Sequence, residues 1–184
     1  MCLLVFNAYS WKINIRTRMN TLEVAQLEEW DKCNHIINMG RDFQREQGFV
    51  QWTDNYPNKG TIYDDIKSKK GYVVKINGVI AGYMCIDFAG EPAYENIQGK
   101  WRSEGPYAVI HRMAFDKDFR GMGLTGITFK LIEELCIKIG VRTIRVDTDF
   151  PNERMQHILR KNGFENCGTI MFQGSGKLAY DKSF

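Results

Sequence analysis

The sequence predicts an α+β fold: a mixed, mostly antiparallel central sheet flanked by helices, with one βαβ crossover. Three observations carry that expectation. Asn77-Gly78 joins two strand-like runs and is a strong short-range hairpin signal. Between residues 108 and 148 a strand-like run, a glycine-rich turn, a helix-patterned run and a second strand-like run follow one another. After a further short helix, two more strand-like runs close the chain.

Taken in order, Leu22 to about Gln47 reads as helix, because Leu27, Trp30, Ile37 and Phe43 recur at near-helical spacing with charges between them. Gly40 is placed to break it. Trp52, Tyr56 and Pro57 mark a turn, and Thr61 to Lys69 is a short second helix ending at Gly71. Tyr72 to Ile76 and Val79 to Phe88 form the hairpin. Gly90 to Pro106 is a long loop with Pro92, Gly99 and Gly105, of a length that compact domains usually keep for function. Ala108 to Phe115 is a strand, Thr125 to Ile139 a helix and Thr143 to Thr148 a strand. Ile127, Leu131, Leu135 and Ile139 give that helix a core stripe, with Ile132 and Cys136 beside it. The helix Asn152 to Asn162 stops at Gly163, a left-handed cap position. Thr169 to Phe172 and Leu178 to Asp181 are the last strands.

With 184 residues and 43% hydrophobic content, the chain can bury a core of its own. Residues 19–184 are expected to form one domain. Residues 1–18 are expected to lie outside it, since Met19 stands just before the first helical pattern. The alternative is a strand at Trp11 to Arg16, where apolar and polar residues alternate. No apolar run approaches a membrane span. The net charge of +3 is spread among acidic residues, which gives no support to nucleic acid as the main partner. Cys2, Cys33, Cys85, Cys136 and Cys167 are odd in number, with no C-x-x-C spacing. That pattern points to reduced thiols in a cytoplasmic protein and to no metal site.

The run Arg120-Gly121-Met122-Gly123-Leu124-Thr125-Gly126 carries the most functional information. Two glycines let the backbone turn tightly without a Cβ to block a ligand. The helix that follows opens with N–H groups lacking intrahelical partners, and its dipole favours an anion there, phosphate above all. Taken literally, residues 121–126 fit the dinucleotide fingerprint G-x-G-x-x-G, and Asp147 ends the next strand where an acidic residue is wanted. Against that, five residues separate the strand from Gly121, and too little chain follows Asp147 for further βαβ units. An NTPase phosphate loop fails because Ile127 occupies its lysine position. A glycine-rich turn without any ligand is the plain alternative.

The run Met113 to Thr125 resembles the acyl-CoA loop of the GNAT N-acetyltransferase superfamily: an apolar strand, an acidic turn, then Arg/Gln-x-x-Gly-x-Gly/Ala. Arg120, Gly123 and Thr125 fall on its positions. A second family element follows at the expected distance: Asn152, a helical run, then Asn162-Gly163-Phe164. The resemblance covers roughly Val24 to Lys182. It implies acetyl-CoA as cosubstrate, with the pyrophosphate on backbone N–H groups of Gly121, Met122, Gly123, Leu124 and Thr125 and with Arg120 beside it. It also implies that the pantetheine arm lies along Met113, Ala114 and Phe115. For Asn152 it implies a hydrogen bond to that arm; a helix cap is the competing role.

The activity so implied is transfer of an acetyl or other acyl group to a primary amine by direct attack in a ternary complex. An acyl-CoA-binding sensor or dimeric regulator is the non-enzyme alternative, and a homodimer is one expected form. The amine must lose a proton. His111 is the first candidate, expected on one strand face with Val109, Met113 and Phe115, and Asp147 ends the neighbouring strand. Many family members carry a tyrosine in the last helix to protonate the departing thiolate. Leu159 stands there instead, which leaves Tyr180, Tyr107 or water. The acceptor is expected to be a small-molecule amine or a peptide N-terminus, met by a loop holding Glu91, Tyr94, Glu95, Trp101 and Glu104.

Overall fold

The computed structural model describes residues 19–184. The expected extension over residues 1–18, and the alternative strand within it, lie outside the described residues. One eight-stranded sheet runs through the rest, in the order β1-β2-β3-β5-β6-β8-β7-β4. Its strands are β1 (Asn20–Val24), β2 (Gly71–Ile76), β3 (Val79–Asp87), β4 (Gln98–Gly99), β5 (Ala108–Phe115), β6 (Thr143–Thr148), β7 (Glu165–Phe172) and β8 (Ser175–Ser183). The helices are α1 (Trp30–Glu46), α2 (Lys59–Lys67), α3 (Leu124–Lys138) and α4 (Glu153–Lys161). Among the described residues β5 and β6 form the only parallel pair. This is the α+β sheet with one crossover, and it leaves no place for the parallel sheet of a dinucleotide fold.

The start of the chain differs from expectation. Leu22 to Val24 is not the first turn of a helix but part of β1, which pairs with β2 at Leu22↔Val74 and Val24↔Tyr72. The helical pattern begins only after Gln26, where Gln26 and Glu29 form a capping box over a 3-10 turn at Leu27–Glu29. Leu22 and Val24 do face the core, but alternately, as in a strand. Gly40 does not break α1, which runs unbroken for 17 residues. Its missing side chain instead admits Trp52: an added Cβ would stand 2.8 Å from the indole and 3.0 Å from the Ala114 methyl.

Each face of the sheet carries a core. Val74, Met84, Ile86, Ile110 and Val146 pack with Phe129, Ile132 and Leu159 of α3 and α4. On the other face Val73, Tyr83 and Ala114 pack with Ile36, Ile37 and Ile62 of α1 and α2. Two irregularities in β5 position the site. First, β5 and β6 share only Ala108↔Ile144 and Val109↔Arg145, so beyond Val109 they diverge. Second, Cys85 pairs with His111 and Tyr83 with Ala114, so Arg112 and Met113 together oppose Met84. That is a bulge, and Arg112 sits in it with φ 55°, in the left-handed region.

The bulge overturns one expectation. A strand that alternated regularly would put His111, Met113 and Phe115 on one face. The extra residue shifts the alternation, so Met113 and Phe115 join the α3 side with Ile110, while His111 stays with Val109 on the other.

Candidate active site

The glycine turn opens a groove of about 350 Å³ between α1, β5, the N-terminus of α3 and the length of α4. Asp116 shapes the turn: its side chain accepts the Asp118 N–H at 3.0 Å and the Lys32 ammonium at 2.6 Å. Burial opposes the Asp116 charge, yet Lys32 and that amide hold its carboxyl below the usual range. Gly121 and Gly123 follow with φ of 79° and 72°, and nothing lies within 4 Å of a Cβ added at either. Gly123 is the N-cap of α3 and offers no side-chain cap. The first N–H groups of α3 have no intrahelical acceptor, and Leu124, Thr125 and Gly126 line the groove.

Cations rim it. Arg120 donates to the Met39 carbonyl at 2.9 Å and lies 4.5 Å from the Phe43 ring centroid, which pins it to α1. Arg154 approaches the same ring at 5.2 Å, and Arg154 and Lys161 also line the groove. Met113, Ala114 and Phe115 form its floor. Of the turn, only Met122 faces elsewhere, packing on Ile76, Ala81 and Leu124. Basic rim, side-chain-free helix N-terminus and unpaired strand edge together fit a long phosphorylated molecule with a peptide-like arm.

A second cavity, of about 100 Å³, opens where β5 and β6 diverge. Gln44, Trp52, Met113, Asn152 and Met155 line both spaces and join them. His111 and Asp147 line the second cavity; Tyr180 does not. It is 1% exposed and packed in the α3-side core with Phe129 and Phe164. His111 places Nε2 3.5 Å from Glu91 and stacks on Phe172 at 5.8 Å. The His111 contact, helped by the Ala93 N–H and opposed by burial, holds Glu91 below the ordinary carboxylate value. Asp147 is raised above it by burial, against the nearby His111 and the Tyr94 hydroxyl donating at 2.8 Å.

Asn152 takes the cap. Its Oδ1 accepts the Met155 N–H at 3.1 Å and its Nδ2 donates to Gln51 at 2.8 Å. Lys177 pairs with Asp149 at the cavity wall. Four cysteines, Cys33, Cys85, Cys136 and Cys167, are buried free thiols, and burial pushes Cys136 up to about 11, far from a nucleophile's range. No cluster of His, Cys, Asp and Glu among the described residues could hold a metal ion. No helix among them is long and apolar enough to cross a membrane.

Sequence reasoning missed one constellation here. Arg112 donates to Asp65 at 2.9 and 2.7 Å and to the Tyr56 hydroxyl at 2.6 Å, and Tyr83 donates to Asp65 at 3.0 Å. The signal was present: an arginine between Ile110 and Ala114 in a central strand requires a buried carboxylate somewhere.

The Acetyltransferase (GNAT) family model matches residues 26–164. The chain belongs to the GNAT acetyltransferase family. It is therefore an acyltransferase. A GNAT-family acetyltransferase structure from Streptococcus agalactiae shares 32% identity and a TM-score of 0.81, over 90% of this chain and 95% of that one. The aminoglycoside acetyltransferase AAC(6')-Ib, solved with ribostamycin and coenzyme A, shares 19% identity and a TM-score of 0.65, over 89% of this chain and 93% of its own. Ard1 from Thermoplasma volcanium shares 15% identity and a TM-score of 0.62, over 89% of this chain and 97% of its own. These last two show the shared GNAT fold. No curated protein sequence matches the chain.

Proposed function

We propose that this GNAT protein moves an acyl group from acetyl-CoA, or a related acyl-CoA, to a primary amine, with both substrates bound and no acyl-enzyme. One observation carries the reading: the divergence of β5 from β6 joins the basic, glycine-lined groove to the His111 cavity through Met113. The groove's N–H groups and its Arg120, Arg154 and Lys161 suit the phosphates of CoA. Bound there, acyl-CoA supplies a thioester carbonyl carbon open to attack by an amine.

The chain's own groups would do the rest. Beyond Val109 the β5 edge has no ladder partner in β6, so its backbone donors can pair the pantetheine amides and the thioester oxygen. His111 would take the amine proton: with Nε2 turned to Glu91, Nδ1 is left as the accepting nitrogen, and the Glu91 carboxylate steadies the charged ring. Leu159 provides no proton, so the thiolate leaves without help from α4. CoA thiolate tolerates this near neutral pH.

The coenzyme A and ribostamycin in the AAC(6')-Ib structure support a small-molecule amine as acceptor. Screening amines, amino acids and short peptides with acetyl-CoA, and reading the released CoA thiol, tests the reading. Steady turnover with one class is the expected result. Tight acyl-CoA binding with no amine above background hydrolysis would instead make this a sensor.

A further inference from the structure

The cavity beside His111 has walls of opposite chemistry because it passes through the sheet. Adjacent residues of β5 line it from both faces. His111 and Arg112 come from the α1 side, Ile110 and Met113 from the α3 side. On the α3 side the lining continues with Phe129, Val146, Met155 and Leu159; the polar Thr148 and Asn152 at its edge spend their side-chain hydrogen bonds on Gln51 and the Met155 N–H. Ile110, Phe129, Val146 and Leu159 are 5%, 2%, 5% and 1% exposed, so what they leave open is a small recess in the packed core.

We propose that this wall is an acyl pocket, and that the preferred donor carries propionyl or butyryl rather than acetyl. The inference rests on acyl-CoA lying in the groove. Met113 and Met155, on the α3 side, are among the five residues that line both spaces, so an acyl chain that continues past them meets the apolar wall. The polar wall, with His111 and Asp147, is left to the amine. A volume of about 100 Å³ exceeds what an acetyl methyl needs, since one water takes roughly 30 Å³ in the liquid. One or two added carbons fit while leaving space for an amine nitrogen. Water would be poorly held against this wall, because a buried water needs two to four polar partners. An added methylene displaces such water and gains affinity. Two of the lining residues are methionines, whose unbranched side chains adapt to chains of different length.

Leu159 matters most here. The tyrosine that the family pattern puts at this position would fill the recess and make it polar.

The test needs no acceptor. The full chain is titrated calorimetrically with CoA, acetyl-CoA, propionyl-CoA and butyryl-CoA. Propionyl-CoA is expected to bind about fourfold more tightly than acetyl-CoA, the worth of one buried methylene. Leu159→Phe should remove that gain, measured relative to the variant's own affinity for CoA. Val146→Leu narrows the recess from β6 and should do the same if Leu159→Phe fails to fold. If CoA and acetyl-CoA bind but propionyl-CoA binds no tighter, the acyl pocket is wrong and the acyltransferase reading stands. A gain that persists in both variants places the chain elsewhere and also overturns the pocket. If none of the four binds, the reading beneath it falls as well.

Discussion

His111 is the residue on which the proposed chemistry turns. It lines the smaller cavity, faces Glu91 at 3.5 Å through Nε2 and touches none of the groove that suits CoA. His111→Ala should lower acyl transfer by roughly a hundredfold or more, the usual scale for a lost general base. Acyl-CoA affinity should hardly change. Stopped assays of the pH–rate profile on one amine acceptor check this; an unchanged profile would pass the role to Asp147 or solvent. Arg112 is different in kind, a structural charge at the same place. With Asp65 it forms a pair whose side chains are 11% and 10% exposed. Arg112→Ala strands that carboxylate, and such losses cost about 3–5 kcal/mol. Urea unfolding should show it, and activity should fall with the bulge that Arg112 occupies.

The elements show where sequence reasoning succeeds and where it fails. The crossover was legible because its signals are local: the run Ala108 to Phe115, the glycines and the helical pattern of α3 all lie within one stretch of chain, although the buried face of α3 is Phe129, Ile132 and Cys136 and not the expected stripe, whose Ile139 is exposed. β1 was not legible. Its partner is β2, with Thr21 opposite Lys75 in register and Glu23 bound to Lys75 by an ion pair at 2.8 Å, and no local pattern announces a partner so distant in sequence. The same holds within the site. The glycine turn was readable residue by residue, whereas the separation of His111 from Met113 and Phe115 depended on a bulge set by pairing to β3. Asn152 could be read only as two competing roles, and the bonds to Met155 and Gln51 show it capping α4.

One prediction belongs to the turn between β5 and α3. Gly123→Val places a Cβ and two methyls in the open space before α3, at a backbone angle that costs a non-glycine residue about 1–2 kcal/mol. The fold should survive with a melting temperature lower by a few degrees, and CoA binding measured by calorimetry should be lost. A variant that binds CoA as the parent does would remove the turn from the phosphate site.

At the scale of the molecule, the described fold opens with Met19, whose carbonyl accepts the Asn77 N–H at 2.9 Å as β1 begins. A chain starting at Met19 should therefore melt within a few degrees of the full chain and bind CoA equally well. A large loss would assign residues 1–18 a place in the sheet. The sheet itself is the device: strands tied by antiparallel ladders on both sides, with a gap held open at the one parallel pair. That gap joins the glycine-lined groove, proposed to hold the CoA phosphates, to the His111 cavity, proposed to accept the amine proton. Thermal unfolding with separate additions of acetyl-CoA, NAD and ATP tests this directly. Acetyl-CoA at a hundredfold excess over its dissociation constant should stabilise the chain by about 2.7 kcal/mol, while NAD and ATP leave it unchanged. Stabilisation by NAD, with none from acetyl-CoA, would contradict the account.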